Sequence, residues 1–225
     1  MGKAGPLRWR DGRGWLVLAG GGKPEDITHI LRAAIGAMSD ESPVVFVPTA
    51  STASNGDHDT SQRIIAQIET LGGPTGYVVP IFTHTDATDL RNVRRLAQAG
   101  LVYLGDGLAQ QLITALSNTP TLDALAAVYE AGAIVVAAGA AACALGARGL
   151  CEQETVGWGW LPDALICPHY TEASTLREAV KAHPECLGLG LPQDTALALG
   201  PDNQVQTLSA SGQQVKVVLG YRFRS

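Results

Sequence analysis

The sequence predicts a three-layer α/β fold: a mostly parallel sheet with helices on both faces, and antiparallel strands added by the C-terminal part. Two observations predict it. Short, wholly apolar runs such as WLVLA (15–19) and VVFV (44–47) alternate with segments of helical spacing. A strand covered on both faces reads as a continuous apolar run rather than an alternating one. The composition agrees, with 46% hydrophobic and only 16% charged residues over 225 positions. That balance suits a body with many buried strands and argues against disorder.

The elements follow in order. The first strand, Trp15 to Ala19, stops at Gly20-Gly21-Gly22. A helix is expected over 24–38, because Ile27, Ile30, Leu31, Ala34 and Ile35 fall on one face. Val44 to Val47 is the second strand, ended by Pro48. The spacing of Ile64, Ile65 and Ile68 predicts a helix over 61–71, stopped by Gly72-Gly73. Strand 77–81, helix 89–99 and strand 101–104 come next, the last closed by Gly105-Asp106-Gly107. Helices over 108–116 and 122–131, a fifth strand over 133–138 and the start of a helix at 140–145 complete the repeat. Repeated β-then-α units imply parallel strands, and such sheets bind ligands beyond the carboxyl ends of their strands. The glycine-rich loops at 20–22, 105–107 and 139 should therefore gather on one edge.

After Gly149 the pattern changes to short strands at 165–167, 187–191, 196–199, 205–208 and 215–219, with one helix at 172–182. These are expected to add antiparallel strands to one sheet edge. No linker or repeat is visible, so residues 1–225 read as a single domain, with 1–13 a flexible or loosely attached arm.

Charge and cysteine usage exclude some function classes. The net charge is −5 with no block of Lys or Arg, so nucleic-acid binding is not expected. The longest apolar stretch, 132–146, is too short to span a bilayer, and no apolar segment of a secretory signal follows Lys3, Arg8 and Arg10. None of Cys143, Cys151, Cys167 and Cys186 forms a C-x-x-C pair, which suits reduced thiols in a cytoplasmic protein. No metal and no cofactor are expected. Asp57-His58-Asp59 and His84 with Asp86 lack ligand spacing and read as solvated loops. Gly20-Gly21-Gly22-Lys23 lacks the spacing of a phosphate-binding Walker loop. Trp158 and Trp160 either wall a cleft or support an interface, and a homodimer stays open.

Four segments carry a family resemblance. VVFVPTAS (44–51), GLVYLGDGLAQQLITAL (100–116), GWGWLPDALICPHY (157–170) and GLGLPQDTALAL (188–199) together resemble the dipeptidase E and cyanophycinase serine hydrolases, in the same order. The resemblance implies the class I glutamine amidotransferase-like fold. It also implies a catalytic serine in G-T-S-A-G-A, on a sharp strand-to-helix elbow. Here the matching stretch is AGAIVVAAGAAACALG (131–146), which places Gly139 at the serine position, or Ala141 if the register shifts. No serine or threonine occurs between Thr121 and Thr155, so neither register supplies a hydroxyl. His169 matches the family's histidine, the base that would take the serine's proton. The family's D-E pair becomes Pro192-Gln193, so Gln193 stands where a carboxylate is lost. Asp194 would point to the opposite face of a strand, and the acidic partner of the histidine is sought in Glu152 or Glu154. Of the basic residues that follow the family histidine only Arg177 remains, which puts recognition of acidic side chains in doubt.

The leading expectation is a homologue without serine chemistry. Gly105, Asp106, Gly107, Gly139, Ala140 and His169 would form a cleft for a small peptide-like or amino-acid-like ligand, or for a partner. The alternative is a cysteine-dependent hydrolase or amidotransferase-like enzyme using Cys143 and His169. Cys143 lacks the flanking glycines of G-x-C-x-G and reads otherwise as a small buried hydrophobe. A structural or assembly protein without a ligand is the third.

Overall fold

The computed structural model describes residues 6–39, 41–51, 55–151 and 153–223, with 55–58 given by backbone alone. The first half alternates strands and helices: β1 (Trp15–Ala19), α1 (Thr28–Gly36), β2 (Val44–Val47), α2 (Asn55–Thr70), β3 (Gly76–Val78), α3 (His84–Thr88), α4 (Leu90–Leu96), β4 (Leu101–Leu104), α5 (Ala109–Leu116), α6 (Pro120–Ala131) and β5 (Ile134–Ala138). The second half is strand-rich: α7 (Ala141–Leu145), β6 (Gly146–Leu150), β7 (Glu154–Val156), β8 (Leu161–Cys167), α8 (Ala173–Ala182), β9 (Leu187–Gly190), β10 (Thr195–Leu199), β11 (Val205–Ser209) and β12 (Lys216–Val218).

The main sheet has seven strands in the order β11-β10-β1-β5-β4-β2-β3. Strands β1 to β5 pair in parallel, and β10 and β11 extend the β1 edge antiparallel. Both faces are covered, as the apolar runs require. Leu16, Leu18, Val45, Val47, Val102, Leu104 and Val135 face one core with α5 and α6. Val17, Ala19, Val44, Phe46, Leu101, Tyr103 and Val136 face the other with α1 and α2. Successive side chains point to opposite faces, so one strand feeds both cores.

The C-terminal part departs from expectation. It does not simply widen one edge: β12-β9-β8-β6-β7 forms a second, five-stranded sheet. Within it β6–β8 and β8–β9 are parallel, while β7 and β12 are antiparallel. The helix after β5 is only five residues long and runs directly into β6, which periodicity over 140–145 did not reveal. Leu161, Ala164, Ile166, Leu187 and Leu189 of this sheet complete the first core.

Two further expectations are corrected. The N-terminal segment is tied down from about residue 7 rather than loose: Arg8 pairs with Asp163, the Arg10 N–H donates to the Trp160 carbonyl at 2.6 Å, and the Tyr129 hydroxyl donates to the Arg10 carbonyl at 2.8 Å. The polar stretches at 55–59 and 84–86 are helical, not loops. Asp86 caps α3, its carboxylate accepting from the Thr83 N–H at 2.9 Å while its own N–H donates to the Thr83 hydroxyl. The side chains of Asp57 and His58 lie outside the described residues, and Asp59 pairs with Arg63.

Strand order places the site. β5 lies between β1 and β4, with Ala138 opposite Ala19 and Ala137 opposite Leu104. The carboxyl ends of these three strands therefore open side by side into the loops at 20–22, 105–107 and 139, as the sequence predicts. β8 brings its own carboxyl end, and His169, to the same edge. The His169 N–H donates to the Gly20 carbonyl at 2.9 Å.

Candidate active site

The strand-to-helix corner turns at Gly139. Its φ is +52°, and its N–H donates to the Ala19 carbonyl at 3.0 Å. The left-handed region disfavours a Cβ, which makes Gly139 rather than Ala141 the residue at the bend. Ala141 is fully buried one position into α7. The bend thus presents a hydrogen rather than a side chain.

The space beside that hydrogen is filled by Asp106. A Cβ built on Gly139 would fall on the Asp106 carboxylate, in contact with both oxygens. Asp106 Oδ1 accepts two backbone N–H bonds, from Gly107 and from Ala140, each at 2.7 Å. His169 Nε2 lies 3.1 Å from Asp106 Oδ2. The loop is held by the Gly105 N–H to the Val47 carbonyl at 3.1 Å and the Leu108 N–H to the Ala50 carbonyl at 2.6 Å. Gly107, at φ +148°, packs so closely on the Ala50 carbonyl that a side chain is excluded.

His169 is held from several sides. Its backbone has φ +49°, a strained value for a non-glycine residue of the kind that clusters at functional sites. The imidazole sits over Gly21, where a Cβ would collide with the ring. Its pKa is raised above the ordinary value, mainly by the hydrogen bond to the Asp106 carboxylate and against the opposing effect of burial. The carboxylate fixes the orientation of the ring, as the acidic member of a catalytic triad does for its histidine.

The acidic partner sought in the sequence is Asp106, not Glu154. Glu154 pairs instead with Arg148 at 2.6 Å and His183 at 2.9 Å, and Glu152 lies outside the described residues. Gln193 is exposed and does not line the cleft. Asp194 sits in a turn with φ +57° rather than in a strand, and its Oδ1 is buried without a hydrogen-bond partner among the described residues. Arg177 lines a separate cavity with Val180 and Pro184. Neither Trp158 nor Trp160 lines the cleft. Trp160 packs on Tyr129 beneath Arg10, and Trp158 donates to the Ser117 hydroxyl at 3.2 Å.

Two cavities flank the Asp106–His169 pair and share Gly107 and His169. One, of ≈ 370 Å³, also takes in Ala140, Cys151, Cys167 and Tyr170. The other, of ≈ 430 Å³, takes in Phe46, Ser51, Gly105 and Asp106. The Ser51 hydroxyl is turned away, donating to the Pro48 carbonyl at 2.5 Å. Cys143 lines neither cavity. It is fully buried, its Sγ 3.5 Å from the Ile166 carbonyl, and burial pushes its thiol pKa well up. Such a thiol has neither the exposure nor the positive setting of a nucleophile. The thiols that line the cleft are those of Cys167 and Cys151, and Cys151, which sequence reasoning did not single out, hydrogen-bonds Cys143. Its place depends on the unforeseen β6–β7 turn, and no local motif marks it. Among the described residues no group of His, Cys, Asp and Glu could hold a metal ion, and no helix is long and apolar enough to cross a membrane.

Comparison with known proteins agrees with this architecture. The chain is 25% identical over 214 residues to a cyanophycinase of Nostoc sp. (strain PCC 7120), covering 86% of this chain and 70% of that protein. It is 29% identical over 140 residues to a cyanophycinase of Synechococcus elongatus, covering 55% of this chain and 43% of that one. Among solved structures, a peptidase from an acI-B1 actinobacterium superposes with a TM-score of 0.77 at 19% identity, covering 93% of this chain and 96% of its own. A putative peptidase E protein from Listeria monocytogenes EGD-e gives 0.60 at 15% identity, covering 87% and 98%. These two likenesses bear on the fold. The family model of Peptidase family S51 matches residues 16–207, most of the length, and the chain belongs to that family.

Proposed function

We propose that this chain is a member of its family without serine-hydrolase chemistry, and that it uses the inherited cleft to bind a small peptide-like or amino-acid-like ligand. One observation carries the reading. The elbow residue is Gly139, and the volume its side chain would need is taken by the Asp106 carboxylate. An acyl-enzyme needs a nucleophile within reach of its base. Here the elbow offers no attacking atom to His169, because position 139 carries no side chain. The scaffold, the flanking cavities and the seated His169 remain, and cavities of this size suit small ligands.

The test combines turnover and binding. Purified protein is incubated with α- and β-linked dipeptides, and the same compounds are screened by thermal shift. The expected result is no hydrolysis, with a raised melting temperature for one ligand class, since a ligand bound to the native state stabilises it. Hydrolysis that disappears in His169→Ala would overturn the proposal.

A further inference from the structure

Three donors from three separate segments converge on one carboxylate. The Gly107 N–H comes from the loop after β4, the Ala140 N–H from the corner after β5, and the His169 imidazole from the loop after β8. Converging backbone donors in a cleft suit a negatively charged oxygen, and donors to an ionised acceptor make the stronger hydrogen bonds. The occupant is the chain's own Asp106. It fits only because position 139 is glycine. The Asp106–His169 pair also stands between the two cavities, since both include His169 and Gly107.

We propose that these three donors form a carboxylate-binding subsite, held closed in the resting protein by Asp106, which a ligand's carboxylate enters by displacing it. The proposal rests on the reading that the elbow carries no side chain, and it names the chemistry that the cleft would recognise. Displacement is feasible because the Asp106 side chain is 39% exposed and sits between Gly105 and Gly107 in a short loop. A tethered carboxylate competes at high effective concentration, so a simple carboxylate gains little in the wild type. A ligand that also fills the cavities on either side has further contacts with which to compete. Turning Asp106 outward would join those cavities across the donors.

The test uses the full chain and acetate as the probe. Asp106→Gly removes the internal carboxylate, and amide chemical shifts of Gly107 and Ala140 are followed by ¹⁵N–¹H correlation spectra, with sodium chloride as the ionic-strength control. The expected result is saturable acetate shifts of both amides in Asp106→Gly, with affinity at least tenfold tighter than in the wild type. Asp106→Asn should stay closed like the wild type, because its amide oxygen still accepts from the same two N–H groups. Asp106→Ala runs the same comparison if glycine loosens the loop. Acetate shifts no larger than those from chloride in the folded variants would overturn the proposal, as would equal affinity in the wild type. The readout is independent of turnover, so that result beside an inactive wild type would sink the subsite and leave the proposed function standing.

Discussion

A methyl group at the elbow should be costly, and the cost should depend on Asp106. In Gly139→Ala the new Cβ must adopt φ +52° and meets the Asp106 carboxylate. The left-handed conformation alone costs about 1–2 kcal/mol. Expelling the carboxylate from the Ala140 and Gly107 N–H groups adds another ~1–2 kcal/mol, taken at the low end of charged hydrogen bonds because the side chain is partly solvated. The total is about 2–4 kcal/mol, or roughly 5–15 °C in melting temperature for a chain of this size. The same substitution in an Asp106→Gly background should cost only the conformational part, leaving a coupling of roughly 1–2 kcal/mol in a double-mutant cycle. Urea denaturation of the four proteins measures it. If Gly139→Ala costs the same with and without Asp106, the carboxylate does not occupy the elbow volume and the reasoning fails.

Other outcomes follow from the same geometry. His169 should titrate above 6.5 in an NMR experiment, and Asp106→Ala should bring its pKa down toward that ordinary value. The sign of the linkage is set by a folded-state pKa above the unfolded one. The stabilisation from this pair is present in full below about pH 6.5 and is lost as pH rises through the raised value. Comparing the pH–stability curves of wild type and Asp106→Ala should show a gap that closes over that window. Brief iodoacetamide treatment followed by peptide mass spectrometry should modify Cys151 before Cys143, which is fully buried and should resist until the protein unfolds. Tyr129→Phe should cost about 1 kcal/mol in urea denaturation by removing the bond to the Arg10 carbonyl. It should also speed proteolysis between residues 6 and 13 if that bond helps hold the segment.

The parts of the fold legible in the sequence are those whose signals are local. WLVLA, VVFV and LVYL are apolar throughout because helices cover both faces of the main sheet, and the glycine-rich ends of WLVLA and LVYL mark the carboxyl edge of that sheet. The second sheet was not legible. Its strand GARGL has no apolar pattern, being buried through Gly146 and Gly149 rather than through side chains. Within the site, Gly139 and His169 were readable from the order of motifs. The role of Asp106 is only half legible: the resemblance puts it in the cleft, but nothing near it in the sequence pairs it with His169. Contact between residues 106, 139 and 169 is set by strand order and register, and no spacing within the sequence encodes it. Cys143 looked like a candidate because a cysteine follows the elbow. Its orientation toward Ile166 comes from the early break of α7 into β6.

The most direct test is covalent. A fluorophosphonate reagent marks serines activated by a neighbouring base, and intact-mass spectrometry counts the adducts. Wild-type protein should remain unmodified under conditions that fully label a serine peptidase run alongside. A stoichiometric adduct that maps to a serine and is lost in His169→Ala would show that an activated nucleophile exists in this cleft after all.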